Sequence, residues 1–144
     1  VLKKENNKME FNVIDLRGNE NWMSDTFNTL FTVAGHTFSS VYQYIVYSKA
    51  LLNGRKDLIY AIKRTSDIRV LREIDSEISV YNVSYWRNVY NDCRNIATIQ
   101  KFKCNKELKD KLMGTSFTKR YSVVGGRVDF SLLSSVQIVL QMEG

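Results

Sequence analysis

Proline is absent from this 144-residue chain, and cysteine, histidine and tryptophan are scarce, with two, one and two copies. Without proline there is no polyproline spacer to divide the chain. Two cysteines, Cys93 and Cys104, make no disulfide framework; both fall in helical patterns and read as buried thiols. A single histidine, His36, excludes a Cys/His zinc site, and no metal or cofactor is expected. His36 falls in a predicted hairpin and reads as a surface residue; with no paired nucleophile or carboxylate it builds no catalytic triad. No apolar run approaches the roughly 18 residues of a membrane-spanning helix. The opening Val1–Asn7 is polar and lacks the apolar core of a signal peptide. The expectation is a cytoplasmic protein with no membrane partner.

Apolar residues are plentiful: 44% hydrophobic and 12% aromatic is enough to build a real core, and the length fits one domain. The formal net charge of +6 favours an anionic partner. The lysines and arginines are spread along the chain with no dense block, so sequence-specific nucleic-acid binding is not indicated. Abundant Asn, Lys, Ile and Tyr with no proline resemble the product of an AT-rich genome, such as a phage or virus. The cytoplasm would then be a host's.

The pattern along the chain predicts a mainly helical α+β domain over residues 9–144, after a flexible tail at 1–8. Met9–Leu16 reads as a strand and Arg17–Asn28 as a loop. Leu30–Val33 and His36–Phe38 flank Ala34-Gly35 as a short hairpin. Ser39 or Ser40 caps a helix that runs to Asn53-Gly54. Asp57–Lys63 and Asp67–Ile74 are shorter helices. The clearest helix is Ser84–Phe102, capped by Ser84, with Trp86, Val89, Cys93, Ile96, Ala97 and Gln100 three and four apart. Asn105 caps a last helix, which Gly114 closes. Arg120–Val124 and Val136–Met142 read as strands, with Gly125-Gly126 as a turn; the glycine pair is too small a signal for a phosphate loop.

Two blocks carry a further likeness. In the first, Ser24, Phe31, Thr32, Gly35, Phe38, Ser40, Val41, Lys49 and Ala50 stand in the register of the NADAR (YbiA-like) family pattern. In the second, Trp86, Lys101, Phe102, Asn105, Leu108, Leu112 and Thr115 do so as well, with Cys93 where the family has methionine. The resemblance covers about residues 21–115. Beyond it, Tyr121-Ser122-Val123 could be a degraded L-V-E motif with Asp129 as the following aspartate. Alternatively, Arg127-Val128-Asp129-Phe130 occupies a later asparagine block.

The resemblance implies a domain that handles ADP-ribose-like or ribosyl-phosphate ligands by cleaving N-glycosidic bonds. Breaking such a bond builds oxocarbenium character, which a nearby carboxylate stabilises or relieves by activating water. Tyr42 stands where the family has its catalytic glutamate, and a phenol neutral at pH 7 cannot do that work. Gln43 replaces the family histidine, and Asp25 replaces an asparagine. Asp25 or Asp129 is therefore a candidate relocated catalytic carboxylate, with an ordinary loop aspartate as the alternative for Asp25. Tyr42, Gln43, Lys49, Trp86 and Lys101 are candidate ligand contacts: Tyr42 and Trp86 by stacking, the lysines on phosphate. Trp86 reads equally as core, and Phe38, Val41, Phe102 and Leu108 read as core.

Three functional expectations result. The first is a divergent domain that binds an ADP-ribose-like nucleotide or an ADP-ribosylated macromolecule, with hydrolysis weakened or lost. The second is an active N-glycosidase with a relocated carboxylate, and the third is an assembly or protein-interaction module that reuses the fold.

Overall fold

The computed structural model describes residues 12–143. The expected tail at 1–8 and the first part of the expected strand, 9–11, lie outside them. Among the described residues the order is β1 (Asn12–Asp15), β2 (Phe31–Val33), β3 (His36–Phe38), α1 (Val41–Leu52), α2 (Ile59–Arg64), α3 (Ile68–Ser76), α4 (Val83–Lys103), α5 (Lys106–Met113), β4 (Tyr121–Val124) and α6 (Phe130–Glu143). No helix in this stretch is long and apolar enough to cross a membrane. The architecture is the expected α+β one, mostly helical with a few short strands.

Local chemistry explains the first half. The antiparallel pair β2–β3 turns at Ala34 and Gly35, both at positive φ (50° and 82°). That combination is the two-residue turn whose twist matches paired strands. Ser40 caps α1 by accepting the Gln43 N–H at 3.0 Å, and the Gln43 side chain reaches back to accept the Ser39 N–H at 2.7 Å. This is a variant of the capping box. At the other end Gly54 (φ 71°) lets the Arg55 N–H bond the Ala50 carbonyl at 2.8 Å, a Schellman closure.

Several expectations differ in detail. The cap of α4 is Asn82, whose side chain accepts from the Tyr85 N–H, two residues before the expected Ser84. Asn105 occupies the cap position of α5 but makes no side-chain cap bond. Its amide instead donates to the Lys101 and Leu30 carbonyls, and its oxygen accepts from Thr29, tying α4 to the start of the hairpin. Cys93 is buried, but Cys104, at the end of α4, is exposed.

The largest correction is Val136–Met142, which is not a strand but the second half of α6. Its β-branched residues imitate a strand. The side chains that are buried, Leu133, Val136 and Leu140, recur at three and four, which is the helical period. Asp129 starts the helix by accepting the Leu132 N–H at 2.9 Å.

The core forms three clusters along α1 and α4. Val46, Ala50, Ile62, Leu71 and Ile74 join α1 to α2 and α3. Phe31, Phe38, Val41, Ile45, Cys93 and Ala97 seat the hairpin on α1 and α4. Phe102, Leu108, Leu112, Leu133, Val136 and Leu140 join α4, α5 and α6. Strand β4 then runs back to pair in parallel with β1, from Asn12 opposite Tyr121 to Asp15 opposite Val124. Gly125 follows at φ 80°, and a Cβ there would lie 2.9 Å from the Arg17 backbone nitrogen, so only glycine fits where the two segments meet.

Candidate functional site

The site is built on the N-terminal turn of α1. A helix start leaves its first N–H groups without intrahelical partners. Here the Tyr42 N–H donates to the Asp25 carbonyl at 2.9 Å, which lays the 21–28 loop across the end of α1. The loop holds its own shape through Asn21, which accepts the Met23 N–H, and through the Ser24, Thr26 and Asn19 side chains, which bond one another. Beneath it Lys101, only 2% exposed, donates to the Ser24 carbonyl at 2.9 Å, with the rings of Phe27 and Phe102 nearby.

With the loop fixed, the Asp25 carboxylate meets Arg94 of α4: Nε donates to Asp25 Oδ2 at 2.7 Å, and Nη1 donates to Asp129 Oδ2 at 3.2 Å. Burial opposes the guanidinium charge, but the two carboxylates outweigh it and hold Arg94 firmly protonated. Beside this pair lies a cavity of about 200 Å³, lined among others by Asp25, Arg72, Arg94, Arg127, Gly125 and Gly126. Three arginines from three parts of the chain line it. A groove of about 580 Å³ lies between the 18–28 loop and the start of α3, but its lining mixes Glu20 and Asp67 with Arg69. Size alone does not identify a site; the smaller cavity is the one whose lining carries an excess of positive charge, three arginines against Asp25.

The Tyr42 side chain is held by Asp75 and not by Asp25. Its hydroxyl donates to Asp75 Oδ2 at 2.8 Å, while Lys49 Nζ donates to Asp75 Oδ1 at 2.6 Å. Burial first, then the bond to Asp75, push the Tyr42 hydroxyl well above the ordinary tyrosine range. A phenol held so firmly neutral is a hydrogen-bond donor and not a base. Arg72 is three residues before Asp75 on α3, lines the cavity and acts on Tyr42, so it connects the two charge clusters.

The other residues singled out in the sequence fall elsewhere. Gln43 is buried; its Nε2 donates to the carbonyls of Ile62 and Thr65, so its amide holds α1 to α2. Trp86 is half-buried, edge-on to Tyr90 and packed on the cluster around Phe31 and Phe38. It also borders a separate hollow of about 90 Å³ with Tyr81 and Tyr85. Asp25 and Asp129 thus meet at Arg94, Tyr42 and Lys49 meet at Asp75, Lys101 lies beneath the loop that carries Asp25, and Gln43 and Trp86 stand apart.

Arg72, Arg94, Arg127 and Asp75 were not singled out by sequence reasoning. One signal was readable for Arg94. Tyr90, Arg94, Thr98 and Lys101 follow one another at four, four and three along α4, a polar stripe at helical period. Thr98 and Lys101 within it are buried.

Burial also holds the Lys101 ammonium down to about 8. This is a lowered folded value, so between pH 8 and about 10 the unfolded chain binds more protons than the folded one. The cost of burying the charge is therefore full below pH 8 and fades as pH rises. Denaturant unfolding of the parent and of Lys101→Met should show the parent gaining about 2 kcal/mol on the variant between pH 7.5 and 9.5. A constant difference across that window would rule this out.

The chain matches no family model, and no curated protein matches it significantly. Among solved structures it is similar to the NMR structure of the E. coli protein YbiA, with a TM-score of 0.72 and 19% sequence identity, over 94% of this chain and 88% of that one. At that identity the likeness speaks for the backbone architecture: this chain has a YbiA-like fold.

Proposed function

We propose that this domain binds a ribosyl-phosphate or ADP-ribose-like ligand, with its phosphate among Arg72, Arg94 and Arg127, and that its N-glycosidase activity is weakened or lost. The observation that carries the reading is that three arginines line one cavity, beside the loop that packs on the N-terminus of α1. Guanidinium forks match phosphate oxygens in a way that a scatter of surface lysines does not. The α1 position that bears a glutamate in the NADAR pattern bears Tyr42 here, and its hydroxyl is occupied by Asp75. Lys101 contributes from below, by holding the Ser24 carbonyl and hence the loop that presents Asp25.

Calorimetry and thermal unfolding with ribose 5-phosphate and ADP-ribose test the binding. Both ligands should release heat and raise the melting temperature, and Arg127→Ala should weaken each by roughly tenfold, the loss of one charge-assisted contact. No heat and no thermal shift with either ligand would sink the reading.

A second reading keeps the chemistry. Asp25 and Asp129 both contact Arg94 at the cavity wall, so either could take over the glutamate's role when a ligand draws Arg94 away. It requires base release from an ADP-ribosylated nucleic acid or a ribosylated base, abolished by Asp25→Asn or Asp129→Asn. Activity untouched by both substitutions would exclude it.

A further inference from the structure

The cleft between α4 and α6 lies outside the three-arginine site but is joined to it by the Arg94–Asp129 contact. It is an open groove of about 460 Å³, more than twice the roughly 200 Å³ of the arginine cavity. Asn91 and Asn95 stand one turn apart on α4, and Ser131 and Ser135 stand one turn apart on α6. The floor is apolar and includes Ile99 and Val136. The amides of Gln43 and Gln137 are each consumed by two backbone carbonyls, whereas Asn91 and Asn95 face solvent. A carboxamide offers a donor and an acceptor side by side. That matches the edge of a planar heterocycle whose face rests on an apolar floor.

The charges of the two compartments differ. Among the described residues no lysine or arginine lines the cleft, and the one charged group there is Asp129, so it does not suit a phosphate. Asp129 also accepts from Arg94, which lines the arginine cavity. An ion pair therefore links the linings of the two compartments.

We propose that the α4–α6 cleft holds the nucleobase of a nucleotide whose phosphate sits among Arg72, Arg94 and Arg127. The inference rests on the anion-binding reading above and narrows it, from any sugar phosphate to a ligand that carries a base. The hydrogen-bonding edge of the base meets Asn91 and Asn95, and the sugar spans the Arg94–Asp129 pair.

Calorimetry with AMP and with ribose 5-phosphate separates the two statements. AMP should bind roughly tenfold more tightly than ribose 5-phosphate, the worth of one or two hydrogen bonds and a buried ring. Ser135→Phe fills the cleft from an exposed position of α6, and Asn95→Leu removes the polar edge without adding bulk. Each should erase the AMP advantage and leave ribose 5-phosphate binding unchanged. Thermal unfolding of both variants checks folding, and Asn95→Leu alone carries the test if the phenylalanine is not tolerated. Equal affinity for the two ligands, or an AMP advantage that survives the substitutions, overturns the cleft assignment while leaving the anion site standing. If neither ligand binds, both readings fall.

Discussion

An Arg94→Met protein should lose about 3 kcal/mol of stability and bind ribose 5-phosphate at least tenfold more weakly. Arg94 touches both Asp25 and Asp129, and its side chain is about one-fifth exposed (21%). Removing one member of a buried ion pair costs roughly 3–5 kcal/mol, and the partial exposure here places the loss at the low end of that range. Most of the loss comes from leaving two carboxylates without a counter-charge and not from the missing attraction itself. Adding Asp25→Asn to Arg94→Met should therefore recover part of the stability, which simple addition of the two effects would not give. Denaturant unfolding of the two single variants and the double variant reads this directly. A loss under about 0.5 kcal/mol, the usual range for surface substitutions, would show that the triad of charges is only a surface arrangement.

Tyr42→Glu, which installs the residue of the NADAR pattern, should destabilise the domain by about 2–3 kcal/mol at pH 8 and should not create glycosidase activity. The phenol donates to Asp75 Oδ2, and Lys49 already holds Oδ1. A carboxylate at position 42 has no proton to give and faces Asp75 as a like charge in a half-buried setting. Burial and repulsion raise the new group's pKa above its unfolded value, so its cost is full at high pH and fades as acid protonates it. The deficit should shrink between pH 8 and pH 5. Asp75→Asn in the same chain should relieve much of it. A Tyr42→Glu protein as stable as its parent, or one that releases base unaided, would mean that Asp75 does not confine this position.

The fold was readable wherever local chemistry settles the backbone. The Ala34-Gly35 turn, the Ser40 cap and the Gly54 stop each act over a few residues, and the corresponding elements stand where their patterns put them. Residues 136–142 misled because Val136, Ile138 and Val139 are strong strand formers, while the decision lay with Leu133, Val136 and Leu140 packing on α5 and α4. The site was half readable. Asp25 and Asp129 stood out as carboxylates near family positions. Their meeting at Arg94 depends on bringing together residues 69 and 35 positions apart. Asp75 had no signal at all: it is an ordinary helix residue until the fold sets it opposite Tyr42 and Lys49.

The parallel pairing of β1 with β4 has a kinetic consequence. Asn12 and Tyr121 are 109 positions apart, and among the described residues the two strands form a two-stranded sheet of their own. Closing so long a loop costs entropy that four paired residues on each side do little to offset, so this step belongs late in folding and opens early in unfolding. Gly125, Gly126 and Arg127 follow β4 directly and line the arginine cavity. The helical body can therefore be complete while the cavity still lacks one wall. Amide exchange in β1 and β4 then reports the assembly of the arginine cavity more directly than the melting of the helices does, and under the proposed reading a phosphate bridging Arg127 to Arg94 would act as the missing tie across that seam.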